Sequence, residues 1–154
     1  MNKVLNLREG KFPIKINQKL TKFPYDTDMG ELVEGSVDLS IEKLSYELFV
    51  CKGSVDSVFG GTCQSCLKKI KIDLNFEINV VIKDSDILLD DATKPDESHF
   101  QQLKFFQVEL LIFEEISLNY PAVLKCQNGE CVTYDQPKKE EKLQPFKKIR
   151  DLMD

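Results

Sequence analysis

The sequence predicts an α+β fold: a curved antiparallel sheet or half-barrel with a long hairpin, one packed helix and a C-terminal cysteine-containing arm. Three observations predict it. Ile70, Ile72, Leu74, Phe76, Ile78, Val80 and Ile82 are apolar, while Lys69, Lys71, Asp73, Asn75, Glu77 and Asn79 between them are polar. Period-two alternation of this length is a strand with one face in a core and one in water. Residues 102–118 carry apolar side chains at helical spacing. Two cysteine pairs, Cys63/Cys66 and Cys126/Cys131, fall one before and one after that helix.

The elements follow in chain order. Phe12, Ile14, Ile16 and Leu20 alternate with Lys15, Asn17 and Lys19, which gives a first strand, placed at an edge by Pro13. Residues 21–34, with Pro24, Asp26, Asp28 and Gly30, read as a loop. Val37, Leu39 and Ile41 mark a second strand, and a long strand runs from about Tyr46 to Thr62. Gly53, Gly60 and Gly61 interrupt its pattern and predict a bulge or bend. Cys63 and Cys66 then sit at the tip of the hairpin formed with the alternating strand.

The next stretch, 84–98, is dominated by Asp84, Asp86, Asp90, Asp91, Asp96 and Glu97, and Pro95 breaks any helix. It reads as a solvated acidic linker, with a lure for a basic partner as the sharper alternative. In the helix, Leu103, Phe106, Leu110 and Phe113 form one stripe and Phe105, Val108, Ile112 and Ile116 another. Lys104, Gln107, Glu114 and Glu115 share the remaining arc with Leu111. Such a wide apolar arc packs on a sheet; a partner-docking face is the alternative. Pro121 ends the helix through its effect on Tyr120. Asn128-Gly129 predicts a tight reversal that brings Cys126 and Cys131 together. The organisation is thus a β region over 1–83, an acidic linker over 84–100 and a helix plus cysteine-containing arm over 101–154, in one compact domain.

Bulk properties narrow the function. The chain has 154 residues, 31% of them charged, with a net charge of −5 and a pI near 5.0. That balance argues against a large phosphate-binding surface but allows a local basic patch. The segment Met1–Glu9 has no apolar run of signal-peptide length, and no stretch approaches the ~20 apolar residues of a membrane span. A cytoplasmic setting is therefore expected, in which paired cysteines read as metal ligands or redox groups before disulfides.

Cys63-x-x-Cys66 can place two sulfurs on one side of a turn, and Cys126 and Cys131 can supply two more. Four thiolates from two turns suit one tetrahedral, structural Zn²⁺. A redox pair is disfavoured, because a strand follows Cys66 where thioredoxin-like motifs need a helix N-terminus. A structural turn without metal is the remaining alternative. Cys51 is expected to be buried as a small hydrophobe. The only histidine, His99, is expected to be exposed in the linker. There is no His-based triad, no G-x-x-x-x-G-K and no G-x-G-x-x-G, so a non-enzymatic protein is expected. Lys68, Lys69 and Lys71 beside the cysteine turn are either ordinary solvated lysines or a modest contact to an RNA backbone.

Taken together, these motifs resemble the bacterial YceD family, the large ribosomal RNA subunit accumulation proteins. The resemblance lies in the order Cys63-Gln64-Ser65-Cys66-Leu67 after a glycine-bearing strand, the alternating strand, the acidic gap, Glu114-Glu115-Ile116-Ser117-Leu118-Asn119-Tyr120-Pro121, the pair Cys126 and Cys131, and Pro145-Phe146-Lys147-Lys148-Ile149-Arg150-Asp151-Leu152. It runs over residues 35–153. The resemblance implies a role in making or stabilising large-subunit ribosomal RNA, no catalytic activity, and a ribosomal protein or pre-ribosomal particle as partner. Glu114 on the helix and Phe146 in the closing motif are the candidate partner-binding residues. Two other classes stay open: a zinc-stabilised protein-interaction module, and a thiol-disulfide or zinc-handling protein using Cys63 and Cys66.

Overall fold

The computed structural model describes residues 3–22, 29–86, 98–127 and Cys131. Its strands are β1 (Val4–Leu5), β2 (Ile14–Leu20), β3 (Glu31–Lys43), β4 (Leu48–Thr62), β5 (Lys69–Asp84), β6 (Ser98–Gln101) and β7 (Phe106–Gln107). A 3-10 turn covers Leu103–Phe105, and helix α1 covers Val108–Asn119. The fold is α+β, with one five-stranded sheet in the order β2-β3-β4-β5-β6 and a separate pair, β1 with β7. The large sheet is not closed.

The alternation along β5 does what its spacing predicts. Ile72, Leu74, Ile78, Val80 and Ile82 are buried, and Asp73, Asn75, Glu77 and Asn79 between them are exposed. β4 pairs with β5 antiparallel from Leu48 opposite Lys83 to Thr62 opposite Lys69. The two are thereby locked over their whole length, because a one-residue slip would turn every buried side chain to water. Gly53 fits this register for a steric reason. Its φ is 156°, and a Cβ there would sit 2.0 Å from the Asp38 carbonyl oxygen of β3.

Three expectations about the elements and their bounds need correction. The sheet is mixed rather than antiparallel, because β6 pairs parallel to β5, Val81 opposite Ser98 through Asp84 opposite Gln101. Four residues at the end of an acid-rich stretch carry too little alternation to reveal a strand. Second, β3 begins at Glu31, inside the predicted loop. A register shift between Leu32 and Glu34 leaves Val33 exposed and breaks the period-two pattern there. Third, the helix begins at Val108 rather than at 102. Leu103 and Phe106 do enter the core, but from the 3-10 turn and β7. Phe106 pairs with Leu5, and the Leu7 amide donates to the Leu103 carbonyl at 2.8 Å.

The core lies between the inward face of the large sheet and a layer made by α1, Leu7, Leu103 and Phe106. Val108, Leu111, Ile112 and Ile116 are the buried residues of α1. They form one stripe at i, i+3, i+4 and i+8, which brings Leu111 inside rather than onto the polar arc. Tyr120 leaves the helix with extended angles, as Pro121 predicts. Its hydroxyl accepts from the Gly30 amide at 3.2 Å, and its ring meets Phe59 edge-on at 5.4 Å.

One end of the core carries buried polar groups. Asp84, the last residue of β5, accepts a 2.6 Å hydrogen bond from Arg8. Burial pushes the Asp84 carboxyl up, but Arg8 and the Asp86 amide outweigh it and hold it below the usual carboxylate range. His99 is buried, at 2% exposure, rather than exposed in a linker. Its Nδ1 bonds to Glu114, and its Nε2 lies 2.5 Å from the Gln101 side-chain nitrogen. Gln101 is itself fixed in both directions, donating to the Gln107 carbonyl and accepting from the Gln107 amide. The Gln101 NH₂ therefore faces His99, so Nε2 is the acceptor and Nδ1 carries the proton given to Glu114. Burial lowers the His99 pKa, with Glu114 opposing.

Candidate metal centre

Residues 63–68 connect β4 to β5, and their backbone folds back on itself. The Cys63 amide donates to the Lys68 carbonyl at 2.8 Å, and the Leu67 amide donates to the Cys63 carbonyl at 2.9 Å. Closing so tight a turn puts Leu67 at φ 60°, the left-handed region that a leucine rarely occupies. The turn supplies the Cys66 and Ser65 amides as hydrogen-bond donors to the Cys63 sulfur, and Cys126 adds its amide from outside the turn.

The chain after α1 returns to this turn. The Gln64 amide donates to the Leu124 carbonyl at 2.8 Å. Leu124 packs on the core beside Gly61, where a Cβ would come within 3.2 Å of its Cδ1 and 2.9 Å of Ile72 Cδ1. The bare glycine makes the seat for the returning segment. That docking carries Cys126 to the turn.

The four predicted ligands meet. Cys66 Sγ is 3.3 Å from Cys126 Sγ, and Cys63 Sγ is 3.6 Å from Cys131 Sγ. All four sulfurs lie within 4.8 Å of one another, and all are free thiols. The cluster can hold a metal ion. The expected reversal at Asn128-Gly129 lies outside the described residues, but the approach of Cys126 and Cys131 that it was to produce is present.

The thiols do not ionise alike. The Cys66 amide, with those of Ser65 and Cys126, draws the Cys63 thiol down to about 6 against the opposing effect of burial. The hydrogen bond with Cys66, then burial, pushes Cys126 up to about 12. Cys131 is raised by its bond with Cys63 and by burial. One negative charge is thus welcome in the cluster and further ones repel it, until a cation compensates them. Cys63 has no exposed surface, and the strand β5 follows the turn, so its acidity comes from amide donors rather than from a helix N-terminus.

The remaining candidates divide. Cys51 is buried on β4, its thiol pushed up to about 12 by burial with Glu115 adding to it. Lys68, Lys69 and Lys71 are exposed beside the cysteine turn. Lys125 joins them from the returning segment across a cleft of about 340 Å³. Sequence reading missed Lys125, since a single lysine in a coil gives no sign of what it will face. Glu114 is half-exposed on α1 and already engages His99. Phe146 lies outside the described residues. Among the described residues, no helix is long and apolar enough to cross a membrane.

Comparison of the chain with protein-family models, with curated proteins and with solved structures gives no match.

Proposed function

We infer that this chain is a non-enzymatic factor in the synthesis, processing or stability of large-subunit ribosomal RNA. It acts by binding a ribosomal protein or a pre-ribosomal particle, and a structural Zn²⁺ clasps its C-terminal segment to the sheet. The observation that carries this reading is the meeting of Cys63 and Cys66 with Cys126 and Cys131. These cysteines are two separate parts of the motif order that resembles the YceD family.

Zinc suits the donor set. Zn–S bonds of ~2.3 Å in a tetrahedron place neighbouring sulfurs roughly 3.8 Å apart. Two of the separations here are 3.3 and 3.6 Å, and all lie within 4.8 Å. Small side-chain rotations suffice to equalise them. The amide donors on Cys63 are of the kind that orients metal-bound thiolates. Four cysteines leave no open coordination position, which favours a mechanical role over a catalytic one. The net charge of −5 favours a basic protein as the partner.

Two measurements test the reading. Protein purified under reducing conditions should carry about one zinc per chain, a Cys₄ site being a one-metal site. Fully titratable thiols with almost no metal would remove the clasp. In extracts of growing cells the chain should sediment with large-subunit precursors and leave them at moderate salt. Recovery in free fractions alone would end the ribosomal assignment.

A further inference from the structure

The cleft beside the metal centre has a composition of its own. Its charged lining is Lys68, Lys69, Lys71 and Lys125, and no acidic residue lines it. Among the described residues these four ammonium groups form no ion pair. That concentration of unpaired positive charge runs against a chain whose net charge is −5. We propose that this cleft binds the phosphate backbone of single-stranded RNA, and that metal capture by the four cysteines completes it by fixing Lys125 in place.

The geometry suits a polymer backbone. Lys69 and Lys71 sit on one face of β5, roughly 6.8 Å apart along the strand, comparable to the step between successive phosphates of an extended strand. Their cross-strand neighbours are Thr62 and Gly60. These small residues keep the floor low, so a backbone can approach the lysines from above. No aromatic side chain lines the cleft, so nothing there stacks on a base. Binding is therefore by charge, tolerant of sequence and steep in salt.

The dependence on metal follows from how Lys125 is held. Its segment is docked by one backbone hydrogen bond, Gln64 to Leu124, by Leu124 itself and by the adjoining Cys126. Removing the metal removes the strongest of these ties, and Lys125 leaves the other three lysines, which remain fixed to the β4–β5 connection and β5. The proposal rests on the RNA reading above only for the identity of the polymer.

The test is fluorescence anisotropy of a labelled oligouridylate with the zinc-loaded full chain, titrated across salt. Four contacts predict a slope of log K against log salt of about −2.8, and Lys125→Ala or Lys71→Ala should bring it to about −2.1. Lys52→Ala, exposed on β4 away from the cleft, should leave it unchanged, and zinc content shows that each variant keeps its clasp. Chelation should cost at least as much as Lys125→Ala. Unchanged slopes in the cleft variants, an equal effect from Lys52→Ala, or binding to anionic vesicles without binding to RNA would overturn the site. A metal-stripped chain that binds oligouridylate as tightly as the loaded one would overturn the coupling. Oligouridylate binding that is unchanged in Lys71→Ala with Lys125→Ala, while the wild type still associates with particles, refutes the cleft and leaves the ribosomal role standing. RNA binding without particle association does the reverse.

Discussion

The Gln64 amide and the Leu124 carbonyl, 2.8 Å apart, join the cysteine turn to the segment that follows the helix. This bond, the Leu124 side chain and the contact of Cys126 with Cys66 tie the returning segment to the turn. The sheet core contains none of the four clustered cysteines.

Metal removal should therefore loosen the segment without unfolding the sheet. Chelator should speed tryptic cleavage after Lys125 by about tenfold, the factor that ~1.4 kcal/mol of local opening gives. The β-sheet signal in far-ultraviolet circular dichroism should stay. Cys126→Ser should behave as the chelated protein does. Loss of the β signal on chelation would show that the metal holds the whole fold.

Leu67 makes a second expectation. It is 76% exposed, so replacing it forfeits little burial. Its φ of 60° costs roughly 1–2 kcal/mol for a residue with a Cβ. Leu67→Gly removes that strain and adds about 0.5–1 kcal/mol of unfolded-state entropy cost. A net gain of about 0.5–1 kcal/mol should appear in denaturant titrations of the loaded protein. Leu67→Val, β-branched, should be destabilising, and the reverse order would refute the strain.

Asp84 should make the fold acid-sensitive. Its carboxyl sits below the unfolded value of about 3.9, so its contribution is complete above that pH and is lost as pH falls through the folded value. Charge-assisted hydrogen bonds contribute about 1.5–3 kcal/mol, and the partial exposure of Arg8 places this one near the low end. Asp84→Asn should cost about 1.5 kcal/mol at neutral pH and nothing once both proteins are below the folded pKa. A difference that persists into strong acid would mean that packing, not charge, is responsible.

His99 should act at milder pH. Its folded pKa is lowered, so the unfolded chain takes up a proton first as pH falls below about 6.5. The contribution is complete above that pH and declines below it. Melting temperature should drop between pH 7 and 5 in the wild type. His99→Asn should be less stable at pH 7 and flatter over that window, and an equally steep decline in the variant would clear His99.

Much of this was legible because it rests on local repetition. The alternation from Ile70 to Ile82 specifies β5, and the two cysteine spacings specify the cluster. What stayed hidden depends on distant partners. His99 is buried because β6 borrows its order from β5 and because Gln101 and Glu114 satisfy its ring. The helix start was misplaced because Leu5 and Leu7 take up Phe106 and Leu103 before the helix begins. The Val33 bulge concealed the first residues of β3 by breaking the period that would have revealed them.

Among the described residues, the open sheet leaves β2 and β6 paired on one side only. β2 follows Pro13 directly and shows Lys15 and Lys19 to water, while β6 is only four residues long. Neither offers a long, flat, uncharged rail for another chain to zip onto. Along these described edges, freshly made copies at high concentration find little on which to stack into aggregates.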